Sequence, residues 1–125
     1  MQRILVVDDD HAIRDVVAEI LQMSDYEVDK ASNGAEALAL VRTRPPAAML
    51  LDLMMPVMDG WEFMRQCRGV PGCAPLPVAI MSAARNARVH VAELGAQAFL
   101  EKPFEIEALV QTVEQLVPST TCGST

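Results

Sequence analysis

Five apolar runs punctuate the chain, and the residues between them carry the spacing of helices. Arg3-Ile4-Leu5-Val6-Val7 is apolar without alternation, which predicts a strand covered on both faces. From His11 to Met23 the apolar positions fall at Ile13, Val16, Val17, Ile20 and Leu21, a helical stripe, with Asp10 placed to cap it. Tyr26 to Ala31 alternates and predicts an edge strand. Asn33 is placed to cap a short helix through Leu38 and Val41, stopped by Pro45-Pro46. Ala48 to Leu53 is the third strand, followed by a loop from Met54 to Gly60. Asp59 and Glu62 have capping-box spacing, so a helix starts at Gly60 or Trp61 and runs to Arg68, with Phe63, Met64 and Cys67 facing the sheet. Gly69 to Pro77 reads as loop. Val78 to Met81 is the fourth strand, ending at Ser82-Ala83, and a helix over Asn86 to Leu94 closes at Gly95. Ala98-Phe99-Leu100 is a short fifth strand ended by Lys102-Pro103. The last helix, Glu105 to Val117, has its stripe at Ile106, Leu109, Val110, Val113, Leu116 and Val117.

Strand and helix thus alternate through five βα units, which predicts an α/β fold with a parallel sheet and helices on both faces. Its crossovers are right-handed. Ligands of such sheets bind beyond the carboxyl ends of the strands. The polar residues that interrupt the apolar runs all fall there: Asp8, Asp9 and Asp10 after strand one, Asp52 ending strand three, Ser82 after strand four, Lys102 after strand five. Asp52 stands out within Met49-Leu50-Leu51-Asp52-Leu53-Met54-Met55-Pro56, because an ionised carboxylate does not sit in a core strand without partners. Acids, a hydroxyl and an ammonium converging on one edge suit a metal-dependent phosphoryl-acceptor site, with Asp52 as nucleophile.

Composition narrows the picture. The 125 residues suffice for one domain. A net charge of −7 argues against a surface that tracks nucleic-acid phosphates. No apolar run is long enough to cross a bilayer, and Asp8 breaks the first run too early for a signal peptide. Three cysteines, Cys67, Cys73 and Cys122, lack metal-type spacing and read as reduced, idle thiols of a cytoplasmic protein. Residues 1–117 read as the folded domain and 118–125 as a flexible tail. His11 and His90 read as surface residues.

The motifs Ile4-Leu5-Val6-Val7-Asp8-Asp9, Leu51-Asp52-Leu53-Met54-Met55-Pro56 with Asp59-Gly60, Met81-Ser82-Ala83 and Lys102-Pro103-Phe104 occur here in one order and spacing. In them the chain resembles the receiver domains of two-component response regulators, of the single-domain chemotaxis type, from Ile4 to Val117. The resemblance implies a doubly wound, flavodoxin-like sheet of order 2-1-3-4-5. It implies Asp52 as phosphoacceptor and Mg²⁺ (or Mn²⁺) held by Asp8, Asp9 and the backbone carbonyl of Met54. Lys102 would pair with Asp52 and then with the phosphoryl group, and Ser82 and Phe99 would act as switch residues. The Lys102–Pro103 peptide would be cis. The implied partners are a sensor histidine kinase or histidine phosphotransfer protein, and a downstream protein meeting the fourth-helix and fifth-strand face at Val89, Val91 and Phe99. No direct nucleic-acid or membrane contact is implied, the state being a monomer or a phosphorylation-dependent dimer. The domain would catalyse its own phosphorylation and dephosphorylation, without turning over an external substrate. No output segment is expected after Val117, so the chain is either stand-alone or a piece of a longer protein.

Met54 and Ala84 depart from the polar residues common in fast-decaying relatives, which implies a long-lived acyl phosphate. Two rival readings share the residues. Asp8-x-Asp10 has the opening spacing of haloacid dehalogenase-type phosphohydrolases, with Asp8 as nucleophile, although His11-Ala12 is not their usual continuation. A receiver-like binding module that never takes phosphate is the other, and the complete set Asp8, Asp9, Asp52, Ser82 and Lys102 argues against it.

Overall fold

The computed structural model describes residues 2–83 and 85–117; Ala84 and the expected tail 118–125, with Cys122, lie outside the described residues. Five strands, β1 (Arg3–Val7), β2 (Glu27–Ala31), β3 (Ala48–Asp52), β4 (Val78–Ser82) and β5 (Ala98–Glu101), form one parallel sheet of order β2-β1-β3-β4-β5. The helices are α1 (His11–Met23), α2 (Gly34–Thr43), α3 (Gly60–Cys67), α4 (Val91–Leu94) and α5 (Ile106–Leu116).

Strand alternation sorts the apolar residues into two cores, one on each face. Leu5, Val7, Met49, Leu51, Val78 and Ile80 pack under α2 and α3, around the fully buried Phe63. Ile4, Val6, Ala48, Leu50, Ala79 and Met81 pack under α1 and α5, against Val17, Leu21, Leu109 and Val113. Burying one such large side chain is worth roughly 1.5–3 kcal/mol, so the two-sided packing accounts for the unbroken apolar strands. Among the described residues no helix is long and apolar enough to cross a membrane.

The structure departs from the expectation in five places, one of them Val16, which the spacing puts in the α1 stripe but which is 55% exposed. The fourth helix is split: Arg85–His90 is a 3₁₀ turn, and only Val91–Leu94 is α-helical before Gly95 ends it at φ 79°. The segment has few apolar positions to anchor a longer helix, and Val89 stays 70% exposed. Ile106 opens α5 facing solvent rather than the core, because the stripe that meets the sheet begins at Leu109. His90 is half-buried, its ring edge-on to Trp61 with centroids 4.9 Å apart, rather than a plain surface residue. Finally, Cys67 and Cys73 are not idle thiols but a disulfide. The tight turns from Arg68 to Leu76, each closed by its own backbone hydrogen bonds, fold the chain back so that the two Cα atoms lie 5.1 Å apart. An odd cysteine count hides such a pair.

Candidate functional site

The site is assembled by strand register. Val7 lies opposite Leu51, so one step further Asp8 and Asp52 stand level at the ends of β1 and β3. Asp52 lies opposite Met81, and Ser82 ends β4 one residue on. The Lys102 amide donates to the Ser82 carbonyl at 2.8 Å, which brings the residue after β5 to the same edge. The Lys102–Pro103 peptide that follows is cis.

Asp8 is fully buried and held from several directions. Its amide donates to the Ala31 carbonyl at 3.1 Å. One carboxylate oxygen accepts from the Asp10 amide at 2.9 Å, and the other from Lys102 Nζ at 2.7 Å. Asp52, 5% exposed, accepts from the Met54 amide at 3.4 Å and lies 3.5 Å from the same ammonium. Lys102 therefore leans towards Asp8 more than Asp52. Asp9 is exposed, yet oxygens of Asp8, Asp9 and Asp52 all lie within 4.8 Å of one another.

Lys102 pairs with Asp8 and Asp52 but not with the exposed Asp9, so three clustered carboxylates face a single ammonium. Burial, opposed by Lys102 and reinforced by the nearby Asp8, pushes the Asp52 carboxyl up from its ordinary 3.8 to about 6. An oxygen-only donor set with surplus negative charge fits a hard divalent cation such as magnesium, which takes one or two carboxylates and keeps waters.

The other candidates sit around this cluster. Ser82 is buried, 1% exposed. Phe99 on β5 is half-buried, with the Arg88 guanidinium 4.9 Å above its ring. Val89 is exposed and Val91 half-buried beside it. The Met54 side chain points into solvent, 70% exposed, while its amide serves Asp52. Val57, in the same loop, is held at φ 67°, a left-handed conformation that costs a β-branched residue roughly 1–2 kcal/mol. His11 pairs with Asp15 at 3.1 Å on the surface of α1. Asp10 turns its carboxylate onto the Ala12 and Ile13 amides as the α1 cap, so the Asp8/Asp10 pairing needed by a dehalogenase-type site is not assembled.

The position of this edge also depends on residues outside the set of candidate site residues. Gly60 lies so close to β3 that a Cβ there would meet the Asp52 carbonyl at 2.6 Å. Gly34 opens α2 with its amide on the Met58 carbonyl at 2.9 Å, so the loop after Asp52 rests on that helix. Arg14 Nη1 donates to the Asp8 carbonyl at 3.0 Å. Gly60 is marked in the sequence by the Asp59-Gly60 motif, whereas Gly34 is marked only by its place at a helix start.

A family model for the response regulator receiver domain matches residues 4–114. The chain belongs to the response regulator receiver family. The receiver is 39% identical over 118 residues to the response regulator MprA of Mycobacterium tuberculosis, covering 94% of this chain and 51% of that protein. With MprA of Mycolicibacterium vanbaalenii it shares 40% over 119 residues. The receiver thus spans about half the length of these curated relatives. Among solved structures, chemotaxis protein CheY4 of Vibrio cholerae superposes with a TM-score of 0.86 at 32% identity, covering 94% of this chain and 99% of that one. The receiver domain of NtrX from Brucella abortus gives 0.85 at 32% identity, with the same coverage.

Proposed function

We propose that this receiver accepts a phosphoryl group on Asp52 from a phosphohistidine donor, a sensor histidine kinase or a histidine phosphotransfer protein. An Asp52 carboxylate oxygen forms the new O–P bond as the P–N bond of the donor breaks, and the imidazole leaves with the electron pair. The observation that carries the reading is Asp52 itself: a nearly buried carboxylate at a strand end, 3.5 Å from an ammonium and within 4.8 Å of two further carboxylates. Asp8, Asp9, Asp52 and the Met54 carbonyl are the residues to hold Mg²⁺ or Mn²⁺, which would offset the charge of acceptor and phosphoryl group. Lys102 pairs with Asp8 and Asp52 before the reaction and with a phosphoryl oxygen after it. The Ser82 hydroxyl donates to another oxygen and draws the loop after β4 inward, and Phe99 follows.

The switched surface is the face of Val89, Val91 and Phe99, which meets a downstream protein rather than nucleic acid or membrane. The domain comprises residues 1–117, acts in the cytoplasm as a monomer or a phosphorylation-dependent dimer, and turns over no external substrate. Its acyl phosphate is long-lived, since Met54 and Ala84 offer no polar side chain to orient a hydrolytic water. The test is acetyl phosphate or phosphoramidate with Mg²⁺, followed by intact mass. Wild type gains one phosphoryl group and Asp52→Asn gains none; equal labelling of both removes the reading.

A further inference from the structure

Asp8 and Asp52 have partners that hold their carboxylates, whereas no hydrogen bond or ion pair to Asp9 exists among the described residues. Asp9 is nevertheless directed at the other two. Its direction must come from the backbone on either side of its Cα. The peptide group after it is tied down, because the Asp10 amide donates to Asp8 Oδ1 at 2.9 Å. The peptide group before it is tied by one side chain, Arg14, whose Nη1 donates to the Asp8 carbonyl at 3.0 Å. Arg14 itself is rooted one turn into α1, its amide on the Asp10 carbonyl at 2.9 Å, in the helix that the Asp10 carboxylate caps. With both flanking peptide planes held, the φ and ψ of Asp9 have little freedom left.

We infer that Arg14 is a positioning residue for the cation site, acting through the Asp8 carbonyl to aim the otherwise unsupported Asp9. The inference rests on the cation reading of the carboxylate cluster. It has a sign that plain electrostatics does not share. A guanidinium 3.0 Å from the Asp8 carbonyl, if it acted on the site only as a positive charge, would compete with a divalent cation, so its removal should tighten cation binding. A guanidinium that aims a ligand does the reverse. Outer partners that orient metal ligands typically carry 10–100-fold in affinity when removed. The lower end is apt here, since the Asp10 tie remains.

The experiment is calorimetric titration of the full chain with MgCl₂, alongside melting in chelator. Arg14→Ala should bind Mg²⁺ roughly tenfold more weakly than wild type. Arg14→Lys, which keeps a donor and the charge and preserves folding if the alanine variant does not fold, should fall between the two. Binding by Arg14→Lys equal to wild type while Arg14→Ala is tighter would make the residue a mere charge and overturn the inference. Unchanged Mg²⁺ affinity in both variants with a lowered melting temperature would make it merely structural and overturn the inference as well. A wild type that takes up no Mg²⁺ would instead remove the cation reading itself, and this inference with it.

Discussion

On one side of the strand-end crevice, α1, α2 and α3 each begin with a side chain turned back onto their first free amides: Asp10, Asn33 and Asp59. On the other side, α4 and α5 begin without one. Caps of this kind are worth about 1 kcal/mol each. The capped side carries Asp8, Asp9 and Asp52, which repel one another and must be held close. The uncapped side carries Ser82, Phe99 and a helix of four residues preceded by a 3₁₀ turn. Elements that move are drawn from the less stable end of a fold. One wall keeps three carboxylates close with capped helices; the other, whose helices lack such caps, is the one that would switch under the proposed function.

Breaking the held wall has the largest expected effect. Gly60 packs against β3 so tightly that a methyl group would overlap the Asp52 carbonyl at 2.6 Å and the Leu53 Cα at 2.8 Å, both backbone atoms that cannot swing aside. Gly60→Ala should cost about 3 kcal/mol, the upper end for overpacking, read as a shift of the urea midpoint. It should also lower Mg²⁺ affinity, because Asp52 moves with its strand. Gly72 has nothing within 4 Å of its virtual Cβ, so Gly72→Ala should stay within about 0.5 kcal/mol. Equal midpoints for the two variants would show that the loop after Asp52 is not clamped.

Next in size is the Cys67–Cys73 disulfide, which staples the end of α3 to the loop leading into β4. Cross-linking so short a loop is worth about 2 kcal/mol in the chain-entropy account. Reduction, or the Cys67→Ala/Cys73→Ala double variant, should lower stability by that amount and loosen α3 while leaving α1 unaffected. In denaturant, where burial no longer shields any thiol, one of the three cysteines should react with a thiol label before reduction and all three after it. Three reactive thiols in denaturant without reduction would remove the staple. A reducing cytoplasm would favour that dithiol form, so the oxidised protein is the state to compare against.

The strands and helices could be read from the chain because unbroken apolar runs such as Leu5-Val6-Val7 and Met49-Leu50-Leu51 have few other uses in a domain this size. The acceptor edge was legible for the opposite reason: Asp52, Ser82 and Lys102 are polar where the pattern demands apolar. What stayed hidden depends on contacts between distant segments. Arg14 looks like any helix-surface arginine until its guanidinium is seen on the Asp8 carbonyl. Gly34 is a helix-start glycine until Met58 is seen against it. Lys102 is nearer Asp8, at 2.7 Å, than Asp52, at 3.5 Å, a preference that strand order alone does not reveal. Ile106 keeps the helical spacing yet faces water, since periodicity gives a stripe and not its length.

The smallest effect belongs to the uncapped wall. Arg88 lies over the Phe99 ring, 4.9 Å from its centre, and both residues are at least partly open to solvent. A cation–π contact in that setting is worth about 0.5 kcal/mol. Arg88→Ala should therefore barely move the urea midpoint. Its effect should be local: amide exchange in Arg85–Leu94 should speed up roughly twofold, the factor that 0.5 kcal/mol allows, while α1 exchanges as before. Phosphoryl acceptance should stay at the wild-type rate, since no carboxylate has lost a partner. If the Arg88→Ala change instead spread to α1, or slowed acceptance, the two walls would be one cooperative unit. The division between a wall that holds charge and a wall that moves would then be wrong.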